Sequence, residues 1–367
     1  MIIVPEKEIQ EKKEKKIRVG ITHGDINGIS YEVIIKTLHD NRIMELFTPI
    51  VYGSSKIASY HRKNLNINDF SFNLIKKVEL ANPKRPNIIN CYDNEVKINI
   101  GKSTDIAGKL SYLALKAAVQ DLNEGEIDVI VTAPINKKNI NSTEFSFAGH
   151  TEFFAKSFNS KDYLMLMVTE TLRIGVVTGH IPLKDVSSAI SSELILNKIE
   201  ILNNSLINDF GIRKPKIAIL GLNPHSGDYG LIGSEEHDII IPSIEKAQEN
   251  GYMVYGPFSA DGFFGSSNYI GFDAILAMYH DQGLIPFKTI ANSQGVNFTA
   301  GLPIVRTSPA HGTAYEIAGK NIASPDSFRQ AIYLALDIYR TRKMNDELNK
   351  NPLKSSFENE DQILIKE

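Results

Sequence analysis

The sequence predicts an α/β protein with a largely parallel sheet, on three observations. Short β-branched runs alternate with stretches of apolar residues at helical spacing over most of the chain. Glycine, proline and polar residues gather where the apolar runs end, as they do at strand–loop junctions. The chain has 367 residues, 42% hydrophobic and 23% charged. That is enough for two lobes or one large domain with an ample core.

Taken in order, the runs read as follows. Ile17–Thr22, Ile127–Thr132, Leu164–Thr169, Ile174–Thr178, Ile217–Leu220 and Ala274–Met278 are short apolar or β-branched runs, the signature of buried strands. Tyr31–Leu38, Gly108–Asn123, Ser192–Asn208, Ser234–Asn250 and Ser327–Lys343 repeat their apolar residues with helical periodicity. Folds of this kind carry their chemistry on the loops that follow strand C-termini. Outside these elements, 1–16 and 346–367 are polar, charge-mixed segments expected to be peripheral tails.

Composition excludes several functions. The formal net charge of −3 gives no footprint for nucleic acid. Cys91 alone can build neither an intramolecular disulfide nor a cysteine-only metal site. No apolar run approaches the roughly 20 residues of a membrane span. Met1 to Lys16 lacks the apolar core of a signal peptide, so a cytoplasmic protein is expected. Neither G-x-G-x-x-G after a strand nor G-x-x-x-x-G-K-[ST] occurs, so a nucleotide would have to bind in another way.

The residues that can carry chemistry sit at the junctions. His180 ends Ile174-Gly-Val-Val-Thr-Gly-His180, His225 lies in Gly221-Leu-Asn-Pro-His225, and His280 ends Ile275-Leu-Ala-Met-Tyr-His280. Each imidazole alone reads most simply as a hydrogen-bonded loop residue. Three in the same context also suit a divalent cation with coordination positions left open for substrate. His150 and Thr151 stand at a helix start that can face an anion, or simply cap the helix. Lys288, Asn297 and Arg306 punctuate a glycine- and proline-rich stretch where a phosphate or carboxylate could be anchored.

These segments resemble the 4-hydroxythreonine-4-phosphate dehydrogenase family of pyridoxal phosphate biosynthesis. The resemblance rests on Gly149-His-Thr-Glu-Phe-Phe-Ala155, Gly221-Leu-Asn-Pro-His225, Ala277-Met-Tyr-His-Asp-Gln-Gly283 and Gly295-Val-Asn297. It continues through Gly301-Leu-Pro303, Arg306-Thr-Ser308 and His311-Gly-Thr-Ala314, covering about Arg18 to Arg342. It implies an isocitrate/isopropylmalate dehydrogenase-like two-lobed fold without a Rossmann fingerprint. The first lobe is expected from 17–140 and 290–345, the second from 141–289 with the metal ligands and the dimer interface. His180, His225 and His280 match the family's metal ligands; His150, Thr151, Lys288, Asn297 and Arg306 match its substrate-binding residues. Asp281 and Asp261 are candidates for orienting the imidazoles or moving a proton, and Glu316 is expected near the ribose of NAD.

The activity implied is NAD- or NADP-dependent oxidation of 4-phosphooxy-L-threonine at Zn, Mg or Co, with decarboxylation to 3-amino-2-oxopropyl phosphate. A phosphorylated four-carbon sugar acid, phosphothreonate or phosphoerythronate, is the alternative substrate. The family is a homodimer with a shared active site, in which His280 is expected to join the His180 and His225 of the other chain. One departure stands out. Ile26, Asn27, Ser30 and Tyr31 replace the family's usual residues in the opening loop, so fine ligand contacts there are expected to differ.

Overall fold

The computed structural model describes residues 16–93, 95–141, 145–147 and 149–351. The tail expected at 1–16 lies outside them, apart from Lys16.

One sheet of 12 strands organises the chain. Its strands are β1 (Ile17–Thr22), β2 (Phe47–Gly53), β3 (Asn73–Ile75), β4 (Asn87–Asn90), β5 (Val129–Thr132) and β6 (Leu164–Val168). They continue as β7 (Arg173–Thr178), β8 (Lys216–Leu220), β9 (Met253–Phe258), β10 (Ala274–Tyr279), β11 (Val296–Ala300) and β12 (Arg306–Pro309). The order across the sheet is β3-β4-β2-β1-β5-β12-β11-β6-β7-β10-β8-β9. Pairing is parallel from β3 to β12 and again from β7 to β9. The centre differs: β11 runs antiparallel to both β12 and β6, and β6 antiparallel to β7. Two parallel blocks are thus joined through an antiparallel seam.

The expected strands are all present, with ends moved by a residue or two. Those not expected are explained by their residues. In β2 every position is buried, yet Pro49 interrupts the run and argues against a central strand. Its carbonyl is held from the neighbouring strand, where Asn87 Nδ2 donates to it at 3.1 Å. β11 and β12 carry Asn297, Thr299, Arg306, Thr307 and Ser308, too polar for a buried-strand reading, although all four residues of β12 are buried.

Helices at Ser30–Leu38, Asp105–Asn123, Ser192–Asn208 and Asp326–Asn349 cover the sheet. The Asp105–Asn123 helix starts before the expected Gly108 because Thr104 Oγ1 accepts from the Ala107 N–H and caps it. The helix expected over Ser234–Asn250 is present, wound as a π-helix at Glu236–Ile240 and as an α-helix at Ile241–Glu249. Pro242 stands in the first turn of the α-helical part, where a missing N–H costs least. One expectation is corrected. The tail expected from 346 is instead helix as far as Asn349, where Asn345 Nδ2 donates to the Asn208 carbonyl at 3.2 Å and docks that end.

Candidate active site

Five of the expected residues for an anionic ligand meet around one cavity of about 240 Å³ at the central seam. β12 delivers Arg306, β11 delivers Asn297, and the His150–Ser157 helix delivers His150 and Thr151 at its first turn. Lys288 enters from the His280–Ala291 helix.

Arg306 is the key residue. Its side chain is 2% exposed, and among the described residues no carboxylate within ion-pair distance answers its charge. Its guanidinium donates to Thr132 Oγ1 at 2.7 and 3.2 Å and to Thr299 Oγ1 at 3.3 Å. Burial lowers its pKa to about 9, opposed by the field of Glu152, so it stays charged at neutral pH. An unpaired buried cation is costly unless an anion completes it.

Other atoms of the same walls are also incomplete. His150 Nε2, Asn297 Oδ1 and His311 Nε2 are buried without a hydrogen-bond partner among the described residues. Burial, then Arg306 and Lys137, holds His150 far below the usual histidine range, so its ring is neutral. Burial likewise lowers His311, the Gly312 carbonyl opposing. Buried polar atoms without partners are uncommon in folded proteins. Their gathering here with Lys137, Lys288 and Arg306 describes a receptor for a small, polar anion.

His180 and His280 stand at the same cavity with ring centroids 5.5 Å apart. Asp281 Oδ1 lies 2.6 Å from His280 Nδ1, which must donate to the carboxylate, leaving Nε2 with its lone pair. Lys137 Nζ lies 3.2 Å from His180 Nε2 and donates to it. Burial and then Lys137 lower the His180 pKa, with Glu152 opposing and His280 adding. His180 and His280 suit a divalent cation as two ligands of a set, His280 through Nε2 and His180 through the Nε2 that now accepts from Lys137. The set is not complete in one chain: among the described residues, no group of three or more His, Cys, Asp or Glu side chains can hold a metal.

His225 is the residue that stays away. It does not line the cavity; it opens an exposed loop after β8 in which His225, Ser226, Gly227, Asp228 and Tyr229 all have positive φ. Buried Glu236 pins the loop's start, accepting from the Leu222 and Asn223 N–H groups at 2.7 Å. Asp261 keeps company with His225. The Ser259 hydroxyl donates to Asp261 at 2.6 Å and is the main cause of its lowered pKa, with His225 a lesser one. The resemblance implied that His280 joins His180 and His225 of another chain; within one chain His280 already stands beside His180, and His225 does not. Strand β10 pairs directly with β7, so their C-terminal histidines are neighbours within one chain.

A larger cleft of about 680 Å³ adjoins the cavity, the two sharing Lys288, Ala310, His311 and Gly312. Glu316 lines this cleft with Ile29, Phe287 and Ser324. The altered loop residues behave differently from the expectation. Ile26, Asn27, Ser30 and Tyr31 are all fully buried, and none lines cavity or cleft. Tyr31 stacks on His23 and His61, and Asn27 Nδ2 donates to the Lys102 carbonyl and to Thr104 Oγ1, each at 2.9 Å. The substitutions repack the interior.

Sequence reasoning missed Lys137, Glu152, Thr132, Ser308 and His311 as parts of the cavity wall. Lys137 and Thr132 flank the end of β5, a strand-end position that could have signalled them.

Fold and cavity define an α/β protein that receives a small anion beside a second, larger ligand cleft. The chain belongs to the family described as pyridoxal phosphate biosynthetic protein PdxA, whose model matches residues 45–335. It is 52% identical over 346 residues to a 4-hydroxythreonine-4-phosphate dehydrogenase of Bacteroides thetaiotaomicron, covering 94% of this chain and 95% of that protein. A protein of Oceanobacillus iheyensis, provisionally named a D-threonate 4-phosphate dehydrogenase, is 37% identical over 89% of this chain and 99% of its own. The crystal structure of a Klebsiella pneumoniae 4-hydroxythreonine-4-phosphate dehydrogenase superimposes with a TM-score of 0.75 at 32% identity, covering 89% of this chain and all of that one.

Proposed function

We propose that this protein oxidises 4-phosphooxy-L-threonine with NAD at a divalent metal, and that the product loses CO₂ to give 3-amino-2-oxopropyl phosphate. The observation that carries this reading is Arg306: a buried guanidinium without an ion-pair partner among the described residues, in a wall that also holds Lys137, Lys288 and His150. A phosphorylated amino acid supplies the anions these groups require. Family membership and the 52% identity to a named dehydrogenase support the same substrate.

In this reading Arg306 and Lys288 bind the phosphate, and His150, Thr151 and Asn297 orient the substrate so that its alcohol carbon faces the neighbouring cleft. The dinucleotide lies in that cleft, with Glu316 accepting from its ribose hydroxyls. A carboxylate there disfavours a 2′-phosphate, hence NAD over NADP. His180, His280 and the partner's His225 would hold Zn, Mg or Co, which would supply Lewis acidity toward the substrate oxygen. Asp281 and Asp261 act by orienting His280 and His225 respectively. The functional unit is a homodimer in the cytoplasm, with lobes of 17–140 plus 290–345 and 141–289. Leu183, Tyr229, Leu231 and Ile270 support the dimer: they are largely exposed apolar side chains, and Tyr229 and Leu231 share the His225 loop.

The second reading, oxidation of D-threonate 4-phosphate, is favoured by the 37% identity to the Oceanobacillus iheyensis protein. The two substrates differ only in an amino or hydroxyl group at carbon 2. One experiment tests both: NADH formation across phosphorylated threonine and threonate isomers, with divalent metal present. The expected result is fastest turnover of 4-phosphooxy-L-threonine. Fastest turnover of a threonate phosphate establishes the second reading, and no turnover of any phosphorylated acid overturns both.

A further inference from the structure

The cleft loop 311–316 turns one residue away from its ligand side. His311, Gly312, Thr313, Ala314 and Glu316 line the cleft, whereas Tyr315 does not. The Tyr315 hydroxyl instead donates to Asp25 Oδ2 at 2.7 Å. Asp25 is fully buried in the opening loop, and its other donors are neutral too: Asn139 Nδ2 at 2.8 Å and the Asn27 N–H at 2.8 Å. The Asp25 N–H donates to the Pro134 carbonyl at 2.8 Å, and Pro134 and Lys137 line the cavity. A second tie runs in parallel, from the Ile29 N–H to the Thr313 carbonyl at 3.1 Å. Ala314 has φ +45, a left-handed conformation that a non-glycine residue keeps only when its surroundings hold it.

A carboxylate buried without a cation stabilises a fold poorly, and its value is to fix one arrangement of the donors around it. The donors here come from the cleft loop and from the segment 134–139 of the cavity wall. We propose that Asp25 and Tyr315 form a clasp that sets the cleft loop against the cavity wall, making Tyr315 a positioning residue for the dinucleotide. This rests on the reading of the cleft as the NAD site. Without the clasp, Ala314 is free to relax and the ribose-facing Glu316 loses its fixed position.

The test is a double-mutant cycle on the full-length enzyme with Tyr315→Phe, Asp25→Asn and the two combined. NAD affinity, KM for NAD, KM for 4-phosphooxy-L-threonine and Tm are measured for each. Tyr315→Phe keeps the ring and removes one hydroxyl, so it should weaken NAD binding five- to tenfold and leave the substrate KM within twofold. In the Asp25→Asn background the same change should have less than half that effect. Unchanged NAD affinity in Tyr315→Phe overturns the clasp, as does equal weakening of both ligands, the mark of a merely structural role. If Asp25→Asn does not fold, Asn139→Ala takes its place in the cycle, with the same outcomes. A Glu316→Ala control separates the two levels. NAD affinity unchanged by Glu316→Ala refutes the cleft as the NAD site, whatever Tyr315→Phe does.

Discussion

The walls around Arg306 and the loop around His225 are opposite solutions to the same problem of an unfinished site. Buried Arg306 and the unpartnered buried atoms His150 Nε2 and Asn297 Oδ1 belong to the wall of a cavity of about 240 Å³. Such atoms can be completed by a small molecule, since only a small molecule fits. The His225 loop is open to solvent, with Tyr229 fully exposed and Leu231 82% exposed. Its non-glycine residues at positive φ each cost on the order of 1–2 kcal/mol. The first region turns buried polar atoms toward a small volume and the second turns apolar side chains toward solvent, and the expected histidine set is divided between them.

The largest effect should come from emptying the ligand region. Arg306→Ala leaves a phosphate without its buried cation, a loss on the order of 2–5 kcal/mol, so the substrate KM should rise at least thirtyfold with NAD affinity little changed. Steady-state kinetics in both ligands check this. Arg306→Lys should recover only part of the loss, because an ammonium cannot span Thr132 and Thr299 as the guanidinium fork does. An unchanged substrate KM in both variants would remove the contrast between the two regions.

Acid should act on the interior of the ligand-binding half. His23 and His61 have pKa values lowered to about 4, both chiefly by burial. A histidine with a lowered folded pKa stabilises the fold fully above about pH 6.5, and that stability is lost as pH falls toward the folded value. Each contributes on the order of 3 kcal/mol over this window. The midpoint of urea unfolding should therefore fall between pH 6.5 and 4. A midpoint flat over that range would contradict neutral burial of these rings.

A smaller effect belongs to Asp281, which is exposed but bonded to His280. Asp281→Asn replaces the acceptor that fixes the ring, and divalent-metal affinity should fall about 10- to 100-fold. Titration calorimetry with Zn or Co measures it directly. Unchanged affinity would reduce Asp281 to a surface residue.

Much of this was legible in the sequence, for identifiable reasons. Continuous apolar runs such as Ala274–Met278 can only be buried strands or core helix, and the glycine and histidine that punctuate them mark their ends. Arg306, Lys288, Asn297 and His150 were legible as types suited to an anion. What periodicity cannot carry is strand order. That β12 lies between β5 and β11, and β10 beside β7, decides which side chains meet. β11 and β12 were hidden because the polar residues that make them functional erase the buried-strand signal. Lys137 and His311 were hidden because a lone basic residue on a loop has no pattern. That His280 stands beside His180 within one chain is revealed only by the β7–β10 pairing.

Subunit complementation tests the division of the histidines most directly. His180→Ala, His225→Ala and His280→Ala are purified separately, and each should be nearly inactive alone. Pairs are then allowed to exchange subunits, with exchange verified by differently tagged chains. If His180 and His280 act together and His225 is lent by the partner, mixing His180→Ala with His225→Ala rebuilds one intact site in each mixed dimer. About half the wild-type activity per mixed dimer should return, and mixing His180→Ala with His280→Ala should restore none. Recovery in the second mixture instead, or in neither, would contradict the account.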